Sequence, residues 1–237
     1  MDKLLGIIIP VYNEKDNIVN TIETIEEKIN TPHRIYIVYD FDEDNTLPVA
    51  EEFYKNGVDI KFLKNPLTGV INAIKTGFQN ATEDYLLVTM ADMSDDYSIV
   101  DKMCALMANG YDVVCGSRYM KSGKQIGGPI VKKTISRVAD ITLKYIARLP
   151  THDATNSFKL YRKSMIASME IESNGGFEIG MEIVVKAHFL GFKVTEIPCI
   201  WLARQKGESR FKILSWVPKY LRWYFHAIRK RLLEFIA

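Results

Sequence analysis

The stretch Leu4-Leu5-Gly6-Ile7-Ile8-Ile9-Pro10-Val11 is an almost unbroken apolar run, and it decides the fold. Such a run, ended by proline, is typical of a strand that is buried on both faces of a sheet. The polar residues Tyr12-Asn13-Glu14 follow it, and segment 17–29 then repeats isoleucine at helical spacing. A buried strand followed directly by an amphipathic helix indicates a strand–helix–strand unit, and therefore a parallel sheet.

The same alternation continues outward from this stretch. Strands are predicted at 35–39, 60–63, 85–90 and 113–117, and helices at 47–54, 70–79 and 99–108. The second half predicts helices at 131–147, 178–190 and 212–235, with strands at 157–160 and 193–197. Alternating strands and helices are joined by right-handed crossovers, and ligands of such sheets bind at the carboxyl ends of the strands. We predict an α/β fold with a mainly parallel, Rossmann-like sheet.

Length and composition favour one domain. The 237 residues are 47% hydrophobic and 25% charged, which excludes a disordered or collagen-like chain. Three widely spaced cysteines (Cys104, Cys115, Cys199) indicate buried thiols in a reducing compartment rather than a disulfide framework. The start has no signal-peptide pattern, and no apolar stretch reaches the ~18 residues of a membrane span. A cytoplasmic protein is therefore expected.

The charge is uneven along the chain. Nine of the 31 Lys/Arg residues but only two of the 29 Asp/Glu residues lie from Arg204 onward, so a mildly acidic body carries a basic tail. On a helical wheel, the basic residues of 211–237 face one side, the apolar residues face the other, and Trp216 and Trp223 lie on the border. Two interpretations remain open: a helix on an anionic membrane surface, or a helix packed on the body or a second subunit. Nucleic acid is a poor partner for one basic helix.

Two acidic clusters follow strands at the same predicted edge of the sheet. Asp40, Asp42 and Asp44 follow one strand, and Asp92, Asp95 and Asp96 follow another. Either cluster alone is readily explained as a solvated turn or a helix cap. Two such clusters at one edge favour a Mg²⁺ or Mn²⁺ site, because packed carboxylates repel each other unless a cation joins them. The entry motifs of hydrolase triads, P-loops and dinucleotide-binding folds are absent.

Several segments resemble the family 2 glycosyltransferases, and in particular their dolichol- or polyprenyl-phosphate mannosyltransferase-like branch. The segments, in chain order, are Ile7 to Glu14, the acidic loop at Asp40, Val88-Thr89-Met90-Ala91-Asp92, Gly116-Ser117-Arg118-Tyr119, Asp153 to Phe158, and Arg204 to Arg210. They cover about residues 4–210. The resemblance implies a GT-A-type domain at 1–210, with 211–237 as a C-terminal amphipathic helix that extends it.

The resemblance also implies roles for individual residues. The nucleotide-sugar site would comprise Pro10, Tyr12, Glu14, Asp40, Asp42, Met90, Ala91, Asp92, Arg118, Arg204 and Arg210. Catalysis would depend on Asp92, Arg118 and Arg204, and the metal, Mg²⁺ or Mn²⁺, would be held by Asp92 and Ser94. The acceptor phosphate would meet Arg118, Lys132 and Ser209. A divalent cation and guanidinium groups would stabilise the charge that develops on the departing nucleoside diphosphate.

Two positions depart from the family pattern. Met90 stands where the family has the first of two Asp around an alanine, and Tyr39 stands where the first Asp of an Asp-Asp pair is usual. Methionine is a poor ligand for Mg²⁺. Metal binding therefore depends on Asp92, Ser94, Asp95, water and the substrate phosphates, or turnover has been lost. The intact arginine segments favour activity.

The expected reaction is transfer of a sugar from a nucleotide diphosphate sugar to a polyprenyl phosphate at the cytoplasmic membrane face, by a peripheral protein that could be a homo-oligomer. A phosphate acceptor is already ionised near neutral pH, so no strong general base is needed. One alternative is transfer to a hydroxyl of a surface glycan, with Asp153 or Glu178 as base. Another is a degenerate nucleotide-sugar-binding subunit, suggested by Met90.

Overall fold

The computed structural model describes residues 4–204 and 213–236. Its strands are β1 (Leu5–Pro10), β2 (His33–Tyr39), β3 (Ile60–Lys64), β4 (Tyr85–Val88), β5 (Val113–Ser117), β6 (Lys124–Ile126), β7 (Lys159–Arg162), β8 (Val194–Pro198) and β9 (Ile200–Leu202). Its helices are α1 (Lys15–Lys28), α2 (Thr46–Lys55), α3 (Val70–Asn80), α4 (Val100–Ala108), α5 (Ile130–Tyr145), α6 (Lys163–Ala167), α7 (Ile179–Phe189) and α8 (Ile213–Ile236).

The main sheet has seven strands in the order β3-β2-β1-β4-β7-β5-β8. All neighbouring pairs are parallel except the two that involve β7, which runs antiparallel to both β4 and β5. The stretch that decides the fold forms β1, which lies between β2 and β4 and is fully buried over most of its length. The predicted α/β class with a mainly parallel sheet is confirmed.

Helices cover both faces of this sheet. Alternate strand residues separate the two cores: Ile8 and Tyr36 pack with α3, α7 and α8, whereas Ile7 and Ile35 pack with α1, α2 and α4. The contact of α3 with β1 is very close, because a Cβ added at Gly77 would lie 2.4 Å from Cγ2 of Ile8. Any larger residue at position 77 would push the helix away from the strand.

The structure corrects the prediction at several points. The predicted strand 85–90 ends at Val88, because the chain turns there to place an acidic loop. The antiparallel strand β7 starts two residues later than expected, and the small parallel ribbon of β6 and β9 was not predicted. Three-residue strands are too short to show a hydrophobic period. Gly127 and Gly128, both at positive φ, form the turn that leads through Pro129 into α5.

Helix α8 packs on the body rather than standing apart from it. Trp223 is 2% exposed, and its Nε1 donates a hydrogen bond of 2.9 Å to Oγ of Ser173. The hydroxyl of Tyr224 donates to Oγ1 of Thr142 on α5, at 3.0 Å. The placement of Trp223 on a membrane border was therefore wrong, since this side chain lies at the centre of the packed face. Arg222, expected to face solvent, pairs with Glu172.

The exposed remainder of α8 is apolar towards its end. Leu221, Phe225, Leu232 and Ile236 are all exposed, and they fall within about 60° on a wheel of 100° per residue. None of the described helices is long and apolar enough to cross a membrane. The helix thus combines a packed face with a second apolar face that nothing in the described chain covers.

Candidate active site

The loop between β1 and α1 is fixed to the loop between β2 and α2. Asn13, at a φ of 57°, donates its backbone N–H to both carboxylate oxygens of Asp44, each at 3.1 Å. The same carboxylate, 1% exposed, also accepts from the backbone N–H of Thr46 at 2.9 Å. Glu14 donates its N–H to Oγ1 of Thr46 at 2.8 Å. Asp44 is therefore a structural residue that holds both loops at the carboxyl edge.

This anchoring places an aromatic pair and an ion pair at the edge. The rings of Tyr12 and Phe41 meet edge to face with centroids 5.2 Å apart, and Tyr12 stays half-exposed, as a ring that could stack on a nucleotide base must. Glu14 accepts from Nδ2 of Asn17 at 2.8 Å and forms an ion pair with Arg204. The predicted residues Glu14 and Arg204, 190 positions apart, are thus brought into direct contact.

The first acidic cluster is divided among different tasks. Oδ1 of Asp40 accepts from Nδ2 of Asn65 at 2.7 Å, and Oδ2 accepts from the backbone N–H of Gly69 at 2.8 Å. Asp40 therefore holds the loop that follows β3, at the same edge as Pro10 and Tyr12. Asp42 lies on the surface and pairs with Lys64. A surface pair of this kind contributes little to stability.

The second cluster follows β4. Oδ1 of Asp92 accepts from the backbone N–H of Ser94 at 3.1 Å, whereas its Oδ2 accepts no hydrogen bond from the described residues. Asp95 turns back towards the strand, where Oδ2 accepts from the hydroxyl of Thr89 at 2.8 Å and from the N–H of Met90 at 3.3 Å. Burial, with the added charge of Asp92, raises the pKa of Asp95 to about 7. Asp92 and Asp95 thus each keep one oxygen that accepts no hydrogen bond from the described residues, and Asp92 is the one of the two that does not turn back towards the strand.

Hydrogen bonds from β9 hold the loop that carries Asp92. The N–H of Leu202 donates to the backbone carbonyl of Ser94 at 3.0 Å, and the N–H of Ile200 donates to Oδ2 of Asp96 at 3.2 Å. Asp96 also caps the turn before α4 through the N–H of Ser98. Strand β9 leads directly to Arg204, so the contacts that fix Asp92 also fix the approach of Arg204.

The donor set at this loop fits a cation only in part. Among the described residues, no group of three or more His, Cys, Asp or Glu side chains could hold a metal ion. Met90 supplies a thioether where a carboxylate would be needed, and Ser94 is buried. Asp92 alone can still bind a hard cation that brings most of its oxygen ligands from a diphosphate and water. The chain therefore fits a metal that arrives with the substrate, not one held permanently.

Arg118 follows β5 and lies in a buried ion pair. Its Nε and Nη2 donate to the two carboxylate oxygens of Asp153 at 2.7 and 2.8 Å, and Nη2 also donates to Oγ1 of Thr155 at 3.0 Å. Burial opposes the charge of Arg118, but the carboxylate of Asp153 raises the pKa of Arg118 above its ordinary value. Burial also acts against the charge of Asp153, and Arg118 outweighs it, so the pKa of Asp153 is lowered.

Two further charges lie beside this pair. Asp140 accepts from the N–H and hydroxyl of Thr155, and burial together with the charge of Asp153 raises its pKa well above the ordinary value. Lys159 is fully buried and donates to the carbonyl of Ala154 at 3.1 Å, and burial lowers its pKa. The Asp153 segment therefore serves to hold Arg118 in one orientation, since Asp153, Thr155 and Asn156 are all hydrogen-bonded within the fold.

Lys132, in the first turn of α5, is within electrostatic reach of both charged groups. Burial and the charge of Arg118 lower the pKa of Lys132, whereas the charge of Asp92 acts to raise it. On the far side of Arg118 is an open cavity of about 290 Å³, lined by basic residues including Lys124, Lys133 and Arg137. The predicted acceptor residues Arg118 and Lys132 thus share one positive region next to Asp92.

Two predicted residues, Ser209 and Arg210, lie outside the described residues. Pro10, Tyr12, Glu14, Asp40, Met90, Ala91, Asp92, Ser94, Arg118, Lys132 and Arg204 lie at or beside the carboxyl ends of the strands. Their roles in binding and catalysis stay predictions. Sequence reasoning missed the anchoring role of Asp44 and the pairing of Asp153 with Arg118. Only the strand-end position of Asp44 could have indicated the first, and no local pattern indicates the second.

A central parallel sheet with one antiparallel strand, with charged loops at its carboxyl edge, is the architecture of GT-A glycosyltransferases. The family model described as "Glycosyl transferase family 2" matches residues 6–169, so the chain belongs to this family. The predicted family is thereby confirmed, as is the predicted enzyme class, a nucleotide-sugar glycosyltransferase.

Known relatives agree with the family, and solved structures agree with the fold. Dolichol-phosphate mannosyltransferase of Pyrococcus furiosus is 29% identical over 95% of the chain, which spans 64% of that relative's length. Polyprenol monophosphomannose synthase of Mycolicibacterium smegmatis is 24% identical over 89% of the chain and 85% of the relative. The crystal structure of glucosyl-3-phosphoglycerate synthase from Mycobacterium tuberculosis with Mn²⁺, UDP and product has a TM-score of 0.66 at 11% identity, over 97% of this chain and 80% of that one. Residues 1–349 of S. aureus TarS give 0.62 at 16% identity, over 84% and 60%.

Proposed function

We propose that this chain transfers a sugar from a nucleoside diphosphate sugar to a polyprenyl phosphate. Both relatives named above act on lipid-linked phosphates, as their names state, and both match most of the chain. The edge that carries Tyr12, Asp40 and Asp92 would hold the donor. The adjoining positive region of Arg118 and Lys132 would hold the acceptor phosphate.

The observation that carries this proposal is the exposed face of α5, the helix that bears Lys132. Six large apolar side chains of this helix are exposed, and the five that follow Ile130 fall within about 120° on the wheel. These five are Val131, Ile135, Val138, Ile141 and Tyr145. An exposed apolar stripe on this scale marks an interaction surface. A lipid acceptor explains why such a stripe should lie beside a phosphate-binding group, whereas a water-soluble acceptor does not.

Helix α8 extends this surface. The hydrogen bond from Tyr224 to Thr142 joins the two helices beside the exposed faces of both. Basic residues flank the apolar residues on each helix: Lys133, Arg137 and Lys144 on α5, and Arg222 and Arg229 on α8. Apolar side chains bordered by basic ones suit an anionic lipid surface. The protein would therefore be peripheral, on the inner face of the cell membrane, with 211–237 as an extension of the catalytic domain at 1–210.

The chemistry follows from the charges at the edge. An oxygen of the acceptor phosphate attacks the anomeric carbon of the donor, the bond from that carbon to the diphosphate breaks, and the nucleoside diphosphate leaves. A bound Mg²⁺ or Mn²⁺ would neutralise charge on that diphosphate, with Asp92 as its protein ligand. Lys132 and Arg118 would orient the acceptor phosphate, and Arg204, tied to Glu14, would face the donor phosphates.

The buried ion pair argues against Asp153 as the base that the glycan-hydroxyl alternative needs. A hydroxyl acceptor needs a general base with a free oxygen and a pKa near the working pH. Asp153 has neither, because both its oxygens accept hydrogen bonds from Arg118 and its pKa is lowered. A phosphate acceptor is already ionised and needs no such base. A loss of turnover caused by Met90 remains the alternative that activity assays decide.

The test is a transfer assay with purified chain, UDP-glucose or GDP-mannose, and a short polyprenyl phosphate in detergent, with and without Mn²⁺. We expect a sugar phosphate ester that mild acid cleaves, and no product from the parent alcohol. Ile135→Asp on α5 should reduce transfer in vesicles more than in detergent. Leu190→Asp, at a leucine that directly follows α7 and is also exposed (61%, against 47% for Ile135), is the control. Donor binding without any product would instead support the binding-subunit alternative.

A further inference from the structure

Glu178 carries a buried oxygen without a partner. It lies directly before α7 and is 1% exposed. Its Oε1 accepts from the backbone N–H of Gly175 at 2.7 Å, but no donor among the described residues reaches Oε2. Glu182, a buried carboxylate one turn further along, has partners on both oxygens, the N–H groups of Glu172 and Ser173. Native structures leave few such groups unpaired, so each one calls for an explanation.

The fold places Glu178 at the edge that carries the site. Helix α7 leads into β8, which runs parallel to β5, so its first turn lies at the carboxyl ends of the strands. A Cβ added at Gly180, in that turn, would lie 3.5 Å from the carbonyl of Asn156, in the segment that holds Arg118. The charges of Glu178 and Arg118 are both within electrostatic reach of the hydroxyl of Tyr220.

The loop before Glu178 is built to keep this carboxylate in place. Lys75 on α3 donates to the carbonyls of Ile171 and Ser173, at 3.0 and 2.8 Å. The side chain of Trp216 occupies the space that a Cβ on Gly176 would fill, at 2.1 Å. Helices α3 and α8 thus contact the loop from two sides. Oε2 of Glu178 therefore has little freedom to turn towards solvent.

The chemistry of a carboxylate oxygen limits which ligand groups can pair with Oε2 of Glu178. An ionised carboxylate only accepts hydrogen bonds, so its ligand must donate one. Phosphate groups of the donor and acceptor carry negative charge and are repelled. The nucleotide base would be held at Tyr12 and Asp40, on the far side of Asp92. Within the proposed reaction, the remaining hydrogen-bond donors are the hydroxyl groups of the sugar.

We infer that Oε2 of Glu178 accepts a hydrogen bond from a hydroxyl of the transferred sugar, and that this contact selects among donors. The inference rests on the proposed function, because it needs a bound nucleotide sugar. A site built to hydrogen-bond a substrate hydroxyl discriminates strongly against an analogue that lacks it, since the buried partner is then left unpaired. Glu178 is therefore a specificity residue that touches the substrate, rather than a base.

The test compares the affinity for UDP-glucose with that for UDP, and the affinity for GDP-mannose with that for GDP, by calorimetry. In Glu178→Ala, the extra affinity supplied by the sugar should fall by about 10-fold or more, while the free diphosphate binds as in the wild type. Deoxy analogues of the preferred donor identify the hydroxyl: one of them should bind weakly to the wild type, and Glu178→Ala should not distinguish it from the parent sugar.

Controls separate this contact from a structural role. Glu178→Gln should melt no lower than the wild type, because it removes an incompletely paired buried charge and keeps Oε1 as the acceptor for the N–H of Gly175. Glu170→Ala, an exposed glutamate of the same region, should change neither affinity nor melting. Unchanged sugar affinity in Glu178→Ala would overturn the inference, and so would a loss of turnover with unchanged binding, which is the result expected of a base. A wild type that binds none of the four probes would overturn the proposed function as well.

Discussion

The docking of α8 can be tested by removing its central side chain. Trp223 is almost fully buried against α7, donates to Ser173, and is flanked by the cations of Lys186 and Arg222 at 4.9 and 5.0 Å from its ring. Trp-to-Ala substitutions in a core cost about 3–5 kcal/mol, and the lost hydrogen bond is part of that loss. We expect Trp223→Ala to lower the free energy of unfolding by about 3–5 kcal/mol. For a chain of this size, that lowers Tm by roughly 6–20 °C.

The measurement is urea unfolding followed by circular dichroism, with Phe225→Ala as the matched control. Phe225 is two residues away on the same helix but 61% exposed, so its removal should change stability by no more than about 0.5 kcal/mol. In sedimentation with phosphatidylglycerol vesicles, Phe225→Ala should lose more binding than Trp223→Ala, because Phe225 belongs to the face proposed for lipid. If Trp223→Ala lowered the free energy of unfolding by less than about 1 kcal/mol, α8 would not dock on the body. The description of α8 as a helix with one packed and one exposed apolar face would then be wrong.

Three further predictions address the site and its support. Asp92→Asn should abolish metal-dependent transfer and lower turnover at least ~10²-fold, and wild-type rates in the assay above would contradict its assignment. Asp40→Ala should weaken nucleotide binding by about 1.5–3 kcal/mol in calorimetry without altering the Mn²⁺ dependence of transfer. Burial acts to raise the pKa of Asp101, but hydrogen bonds from Asn30 and Thr31 lower it to about 2. Its stabilising contribution is therefore present above about pH 4 and is lost towards pH 2, so urea unfolding of Asp101→Asn should differ from the wild type at pH 6 and converge with it in acid.

The sequence predicted those parts of the fold in which burial follows a local pattern of apolar residues. Strand β1 and helices α1 and α3 were found because continuous apolar runs and helical spacing reflect burial directly. Strand β7 shows the limit of such reasoning, because an antiparallel insertion between β4 and β5 is a matter of topology and leaves no mark on its own residues. The face by which α8 docks was also misjudged, since a wheel with two apolar faces does not say which of them meets the body.

The sequence predicted which residues belong to the site better than it predicted the contacts between them. Glu14 and Arg204 were both named, yet their contact follows from the path of β9 and could not be read from either segment. Asp153 was considered as a base, but it proved to be the fixed partner of Arg118. A residue type and its neighbours along the chain indicate possible chemistry, whereas burial and long-range partners decide whether a carboxylate is free to perform it.

The charges around Arg118 favour an anionic acceptor through position rather than through net charge. Asp153 neutralises Arg118 in the buried pair, and two further buried groups, Asp140 and Lys159, lie behind them. Nε and Nη2 are committed to Asp153, so Nη1 is the guanidinium nitrogen that would meet a ligand, and burial and Arg118 lower the pKa of the nearby Lys132. An arriving phosphate would favour the charged form of Lys132 and would meet an arginine whose orientation is already fixed, so little reorganisation would accompany binding. A neutral hydroxyl acceptor would gain neither benefit, which is why the geometry of this edge, more than the number of its basic residues, supports a phosphate.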